Sequence, residues 1–317
     1  MNINLFLQRI KRKLRPFLSF PKSKDKMVVV MIDGELYHGG LTDRFRHIMS
    51  IYSFCKEHSL NFKIYYTYPC KLEKILIPNQ YNWKIKKKDL SYSFIDSKDI
   101  LIYSCYKTHH ISKQIEIQKH LNILSQILKN KRKNFQYHIY GNCYFAEQNF
   151  SALFNELFKP SDLLQKKLDK VTPNQPYEAV VLRFQQLLGD LLEGNFPVLG
   201  ATQRFELIKI CIEKIKNLYE QGYFSTNKVL VTSDSSTFLD AVCKELDFVL
   251  IIPGRNVHMD FHGKHENEDV YMKSFVDFLM LSNAQKITCL KTSIMYDTGF
   301  PNFAANIGNI EYKEIIF

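Results

Sequence analysis

Short unbroken apolar runs alternate along the chain with stretches in which apolar residues recur every three or four positions. The first run is Val28, Val29, Val30, Met31 and Ile32, and an apolar run without polar alternation fits a strand covered on both faces, as in a parallel sheet. A loop with Gly39-Gly40 follows, and then Phe45, Ile48, Met49 and Tyr52 fall at helical spacing behind Thr42 or Asp43 as the N-cap. The same patterns predict strands over 61–68, 99–105, 135–140, 179–184, 228–233, 248–252 and 286–290. They predict helices over 111–129, 204–221, 236–244, 267–282 and 300–307. Residues 149–171 read as two helices interrupted at Pro160, the second capped by Ser161 or Asp162. Residues 71–98, with the only tryptophan, Trp83, show no assignable period.

Strands that alternate with helices define an α/β protein. A length of 317 residues with 45% hydrophobic residues is enough for two cores. The run Thr172-Pro173-Asn174-Gln175-Pro176 is the clearest linker. The expected organisation is a segment 1–26, a Rossmann-like domain 27–148, linking helices and linker 149–176, and a second Rossmann-like domain 177–317. No repeat of fixed period occurs. The simplest architecture has the two domains facing across a cleft, where ligands usually bind.

Charge changes the picture only when it is located. The net charge is +11, but residues 1–26 alone hold eight Lys/Arg against Asp25, so most of the excess lies in this segment and the body is nearly balanced. A nucleic-acid partner is therefore not indicated. In the segment, Leu5, Phe6, Ile10 and Leu14 interleave with cations before Pro16 interrupts the pattern, and Phe17, Leu18 and Phe20 follow. It lacks the apolar core of a signal peptide and is too short and charged to span a bilayer. It can lie in the interface of an anionic inner leaflet. A solvated basic tail or a partner-binding helix is the alternative. Seven cysteines, scattered singly, favour reduced thiols and a cytoplasmic setting.

Several residues are of types that carry chemistry. Arg44 and Arg46 in the first turn of a helix behind Gly39-Gly40 make a candidate anion site, against the plainer reading of an ordinary βα turn. Arg183 ends the strand Val180-Val181-Leu182, at the edge where ligands lie in open α/β sheets, or else pairs with Asp190 or Glu193. Asp234 lies in Thr232-Ser233-Asp234-Ser235-Ser236 at the next strand end, placed to accept from a nucleotide or to cap a helix. Asp277 lies in an apolar helix, either buried with a partner or aimed into a site. Thr292 and Ser293 open a loop after the strand 286–290. His258, His262 and His265 match no zinc signature, and no GxSxG, Walker A or GxGxxG element occurs. No metal is expected.

Together these elements resemble the fucosyltransferase superfamily that includes the nodulation enzymes, the alpha-1,6-fucosyltransferases and the protein O-fucosyltransferases. Gly39-Gly40-Leu41-Thr42-Asp43-Arg44 is similar to the family's GG-L-G-[DN]-R loop. Val181-Leu182-Arg183 is similar to its H-[ILV]-R motif, Val231-Thr232-Ser233-Asp234 to its A-[TS]-D strand end, and Ser274–Ser282 with Ser293 and Phe303-Ala304-Ala305 to its last segment. The resemblance implies a GT-B fold and inverting, metal-independent glycosyl transfer from a nucleotide-sugar, GDP-fucose in the family. It assigns Gly39, Gly40, Arg44, Arg46, Arg183, Asp234, Asp277, Thr292 and Ser293 to the donor. Arg183 would stabilise the leaving diphosphate, and Glu35, ahead of His38 and Asp43, would be the general base, with His38 on the acceptor side. Val181 stands where many members carry His, and a single arginine replaces a pair, so a UDP- or ADP-linked sugar stays open as an alternative. A non-catalytic membrane-bound scaffold or nucleic-acid partner is the alternative of another class. The expected acceptor is a glycan or lipid-linked glycan of bacterial surface polysaccharide or lipopolysaccharide synthesis, met at the inner face of the cytoplasmic membrane.

Overall fold

The computed structural model describes residues 3–104, 112–145, 149–191, 196–257, 259 and 268–317. His258, His262 and His265, with Cys105 and Glu193, lie outside the described residues. The chain divides into two compact units, Met1–Leu72 with Ile77–Lys159 and Glu73–Leu76 with Pro160–Phe317. The division thus falls inside the stretch read from sequence as a link, and the helix Asp162–Val171 belongs to the second unit.

In the first unit helix α1 (Ile3–Leu18) precedes strand β1 (Met27–Ile32), helix α2 (Leu41–Glu57) and strand β2 (Asn61–Tyr66). Strand β3 (Leu76–Pro78) leads to β4 (Ser97–Ile102), α3 (Lys113–Lys129), β5 (Gln136–Gly141) and α4 (Phe150–Leu157). The sheet runs β2-β1-β5-β4, all parallel. Every residue of β1 is buried, as its unbroken apolar run requires. A short strand β6 (Phe158–Pro160) pairs with β3 to make a two-stranded ribbon.

The second unit continues with α5 (Asp162–Val171), β7 (Glu178–Leu182), α6 (Ala201–Glu220), β8 (Val229–Ser233), α7 (Ser236–Glu245), β9 (Val249–Ile251), α8 (Glu268–Ser282), β10 (Lys286–Lys291), α9 (Phe300–Gly308) and β11 (Glu311–Ile316). Its sheet is also parallel, in the order β11-β10-β7-β8-β9. Val180, Leu182, Val229 and Val231 from the strands pack with Leu207, Cys211 and Ile215 of α6 and Phe238 and Val242 of α7. Gly308 must be glycine, because a Cβ there would lie 2.0 Å from the carbonyl oxygen of Ser282, at the end of α8.

Three expectations are corrected. Helix α2 starts at Leu41 with Gly40 as its N-cap, and no side chain caps it, so neither Thr42 nor Asp43 plays that part. Pro16 does not end α1. It sits in the last turn, where the end carbonyls find other donors: the Ser19 hydroxyl bonds to Arg15 at 2.7 Å and the Phe94 N–H to Pro16 at 3.1 Å. The helix expected over 300–307 does not close the chain: the strand β11 follows it. That strand is an exposed edge whose charged residues Glu311, Lys313 and Glu314 hide the strand period.

Candidate functional site

In the second unit the chain runs from β7 to β8 and β9 on one side and returns to β10 and β11 on the other. The switch point of this open sheet therefore lies between the carboxyl ends of β7 and β10, where ligands of such sheets are held. Arg183 follows β7 directly, and Thr292 and Ser293 follow β10. The sequence thus places three of its donor candidates at one edge of one sheet.

Asp234, one residue beyond β8, organises that edge. Its side chain is only 2% exposed and accepts the Phe184 N–H at 2.8 Å and the Gln185 N–H at 2.6 Å, while Nε of Arg183 stands 3.3 Å away. Gln185 takes φ 57°, a left-handed conformation held by this clamp. Burial pushes the Asp234 carboxyl above its ordinary range, opposed by Arg183 and the two amides. A carboxylate so enclosed has no open oxygen of its own, whereas the Arg183 side chain beside it keeps 23% exposure. Asp190 serves the next helix instead, accepting from the Ser235 hydroxyl at 2.8 Å and the Thr237 N–H at 2.8 Å at the start of α7.

Asp277 is also buried with a partner. Lys273, one turn earlier on α8, donates to both its oxygens, at 2.5 and 2.7 Å. Asn256 bonds to Asp277 and donates to the Ser233 carbonyl at 2.5 Å, which ties the helix to the end of β8. Burial raises the Asp277 carboxyl, opposed by Lys273. Neither Lys273 nor Asn256 stands out in the sequence as a site residue, although the four-residue spacing of Lys273 and Asp277 is readable there. Thr292 is buried and its hydroxyl has no hydrogen-bond partner, whereas Ser293 is exposed.

In the first unit Gly39 has φ 74°, and a Cβ there would lie 2.8 Å from the Asp43 carboxylate, so the turn into α2 needs glycine. Arg44 is fully buried. Its Nε donates to the Gly39 carbonyl at 2.9 Å, and Nη1 to the Tyr66 hydroxyl at 2.9 Å and the Tyr68 carbonyl at 2.6 Å. It braces the glycine turn against the end of β2. Arg46 lies with its guanidinium carbon 4.9 Å from the centre of the Tyr144 ring.

The carboxyl end of β1 carries the acceptor-side candidates. Glu35 is gripped by Arg15 of α1 through two bonds of 2.6 and 3.0 Å, with Nε of Arg12 at 3.5 Å. Arg12 also donates to Asp99 at 2.9 Å. The basic N-terminal segment is thus partly docked on its own unit. His38 is buried, accepts the Gly34 N–H at 3.1 Å, and burial pushes its pKa down to about 3. Asp33, absent from the candidates that the sequence suggests, follows β1 directly, accepts the Tyr140 hydroxyl at 3.1 Å and the Glu35 N–H at 3.0 Å, and has its carboxyl raised by burial and by Glu35. Its position after an apolar strand is the signal that could have found it.

Among the described residues no group of three or more His, Cys, Asp or Glu side chains is placed to hold a metal ion. No helix of the described chain is long and apolar enough to cross a membrane.

No protein-family model and no curated sequence matches the chain. Solved structures do. NodZ alpha-1,6-fucosyltransferase soaked with GDP-fucose superposes with a TM-score of 0.53 at 12% identity, over 90% of this chain and 93% of that one. NodZ from Bradyrhizobium gives 0.52 at 10% identity, covering 89% and 92%. POFUT1 in complex with GDP-fucose gives 0.50 at 9% identity, covering 94% and 99%. The fold is therefore the GT-B fold of these fucosyltransferases, as the sequence motifs imply, although so few residues are shared.

Proposed function

We propose that the protein is an inverting glycosyltransferase whose donor is a nucleotide-sugar, GDP-fucose first among them. The observation that carries this is Arg183, locked by a buried carboxylate at the switch point of the second sheet, in a fold whose solved relatives hold GDP-fucose. When the glycosidic bond breaks, negative charge gathers on the leaving diphosphate. A fixed guanidinium stabilises that charge more than it stabilises the ground state. The exposed Ser293 at the end of β10 supplies a further donor. In the first unit Gly40 leaves the start of α2 without a side-chain cap, open to an anion beside Arg46. Asp234, Asp277 and Arg44 serve as positioning residues, because their oxygens or N–H groups are already engaged.

For the acceptor hydroxyl we assign the general base to Asp33 in place of Glu35. Asp33 follows β1 directly and lines a cavity of the first unit with its carboxyl raised by burial, and its two acceptor bonds leave lone pairs for a further hydroxyl, whereas Arg15 and Arg12 hold Glu35. The acceptor is a glycan or lipid-linked glycan of surface polysaccharide or lipopolysaccharide synthesis, and the enzyme works peripherally at the inner face of the cytoplasmic membrane. Phe17, Leu18 and Phe20 support the membrane reading: they are 71%, 76% and 88% exposed, next to Lys22 and Lys24.

A thermal-shift panel of GDP, UDP, ADP and CDP tests the donor. Selective stabilisation by GDP is expected, and selectivity for UDP or ADP would move the protein to another donor class. Arg183→Ala should remove transfer and, because it leaves Asp234 buried without its counter-charge, also lower the melting temperature; wild-type turnover in that variant would end the proposal.

A further inference from the structure

The first unit contains a cavity of about 830 Å³ that no part of the donor site uses. Asp33 and Glu35 enter it from the end of β1, Tyr65 and Thr67 from the end of β2, and Tyr92 from the loop before β4. Carboxylates and hydroxyls beside two aromatic rings are the groups that hold a sugar, the oxygens bonding its hydroxyls and the rings covering its C–H faces. Arg15 crosses this wall, its guanidinium carbon 3.8 Å from the Tyr92 ring centre, and neutralises Glu35.

The rest of the lining is cationic. Lys22, Lys87 and Lys88 face the cavity, and among the described residues none of them has a carboxylate within ion-pair distance. They are held together by the fold. Asp96 accepts the backbone N–H groups of Lys22 and Ser23 at 2.7 and 2.6 Å, and Nζ of Lys22 donates to the Lys88 carbonyl at 2.9 Å. Three exposed lysines thus line the same cavity as the sugar-like wall, and a phosphate or diphosphate is the ligand group that would pair with them. The exposed Phe20 lies two residues before Lys22, so the chain passes directly from an apolar surface to the cation cluster.

We propose that this cavity is the acceptor subsite and that its ligand is a glycan carrying a phosphate or diphosphate at its reducing end, with the sugar against Tyr65, Tyr92 and Asp33 and the phosphate on Lys22, Lys87 and Lys88. Its role in receiving the transferred sugar rests on the transferase reading, but the binding itself does not. The test is equilibrium binding to the full chain without donor, using a sugar 1-diphosphate, the same sugar unphosphorylated, and inorganic pyrophosphate. The sugar diphosphate should bind at least tenfold tighter than the neutral sugar. Lys87→Ala/Lys88→Ala should remove that advantage while leaving the nucleotide-induced thermal shift intact. Equal binding of neutral and phosphorylated sugar, an unchanged affinity in the double variant, or full displacement by GDP would overturn the proposal. Loss of the thermal shift with every nucleotide, with sugar-diphosphate binding retained, would instead remove the donor reading. A short-prenyl glycosyl diphosphate in anionic vesicles separates the sources. Tighter binding than for the free form, lost in Phe17→Ser/Phe20→Ser, identifies a lipid-linked ligand, and no gain identifies a soluble glycosyl phosphate.

Discussion

The buried ionisable side chains divide into those that hold a shape and those that leave a chemical group exposed. Asp234 belongs to the first kind: it binds two backbone amides and Arg183 at once. Asp234→Asn keeps the volume but replaces one acceptor oxygen with a donor facing an N–H, which costs about 1–3 kcal/mol. The expected result is a lower melting temperature together with weakened nucleotide affinity, read by calorimetry; Arg183→Ala should lower both as well, with the larger loss in affinity. Unaltered nucleotide affinity in Asp234→Asn would remove its positioning role. His38 and His47 make the interior sensitive to acid. Burial holds their pKa values at about 3 and about 4, below the ordinary 6.5. Between those limits the unfolded chain binds more protons than the folded one, so stability is complete above pH 6.5 and falls as the pH drops toward 4. The slope reaches about 1.4 kcal/mol per pH unit per histidine. Asp33, raised by burial, acts in the opposite sense. Urea midpoints measured from pH 7.5 to 5 should fall in the wild type and fall less steeply in His47→Gln.

At the scale of elements, α8 carries an ion pair that is almost wholly buried. Lys273→Met leaves Asp277 buried and uncompensated, with an expected loss of about 3–5 kcal/mol, and the double variant Lys273→Met/Asp277→Leu should recover most of it. Equal destabilisation in the single and double variants would show that Asn256, not Lys273, holds the carboxylate. Strands β1, β7 and β8 were legible because they are buried on both faces, so their apolar runs are unbroken. Strands β3, β6 and β11 were not: β3 and β6 are three residues long and end in proline, unlike the equally short but all-apolar β9, and β11 is an edge with charged side chains. The switch-point residues Arg183, Thr292 and Ser293 could be read from position at strand ends. The partners of Arg183 and Glu35 could not. Arg183 meets Asp234 from the end of the next strand, and Glu35 meets Arg15 from a segment whose pattern reads as a membrane-associating helix rather than as part of the unit. That docking also changes how membrane binding is tested. Deleting residues 1–26 would uncover Glu35, Asp99 and Tyr140 and damage the unit. Phe17→Ser/Leu18→Ser instead alters only exposed side chains, each contributing about 1.5–3 kcal/mol if buried in lipid. Vesicle binding should fall more than tenfold at unchanged melting temperature, and undiminished binding would remove the membrane contact.

Over the whole molecule, the chain forms two compact units, and under the proposal the end of the second sheet carries Arg183 and Ser293 for the diphosphate of the nucleotide. Ligand binding stabilises only what it touches in the folded state, by about 2.7 kcal/mol at a hundredfold excess over Kd. For a unit of this size each kcal/mol raises the melting temperature by roughly 2–4 °C. If the nucleotide is held at the ends of β7 and β10, GDP should therefore slow amide exchange most in 183–191, 233–238 and 292–299. It should raise the unfolding transition of the second unit by several degrees while leaving exchange in β1 and β5 unchanged. The sugar diphosphate should do the reverse, protecting residues near 33–35 and 87–92 and leaving 183–191 untouched. Both ligands protecting the same segments would mean that one site had been divided into two. Protection by GDP confined to the first unit would shift the donor to the Gly39-Gly40 turn and leave Arg183 with a structural role only. The two ligands separate these outcomes because the units have distinct sheets, so that protection can be assigned to one sheet or the other from exchange data alone.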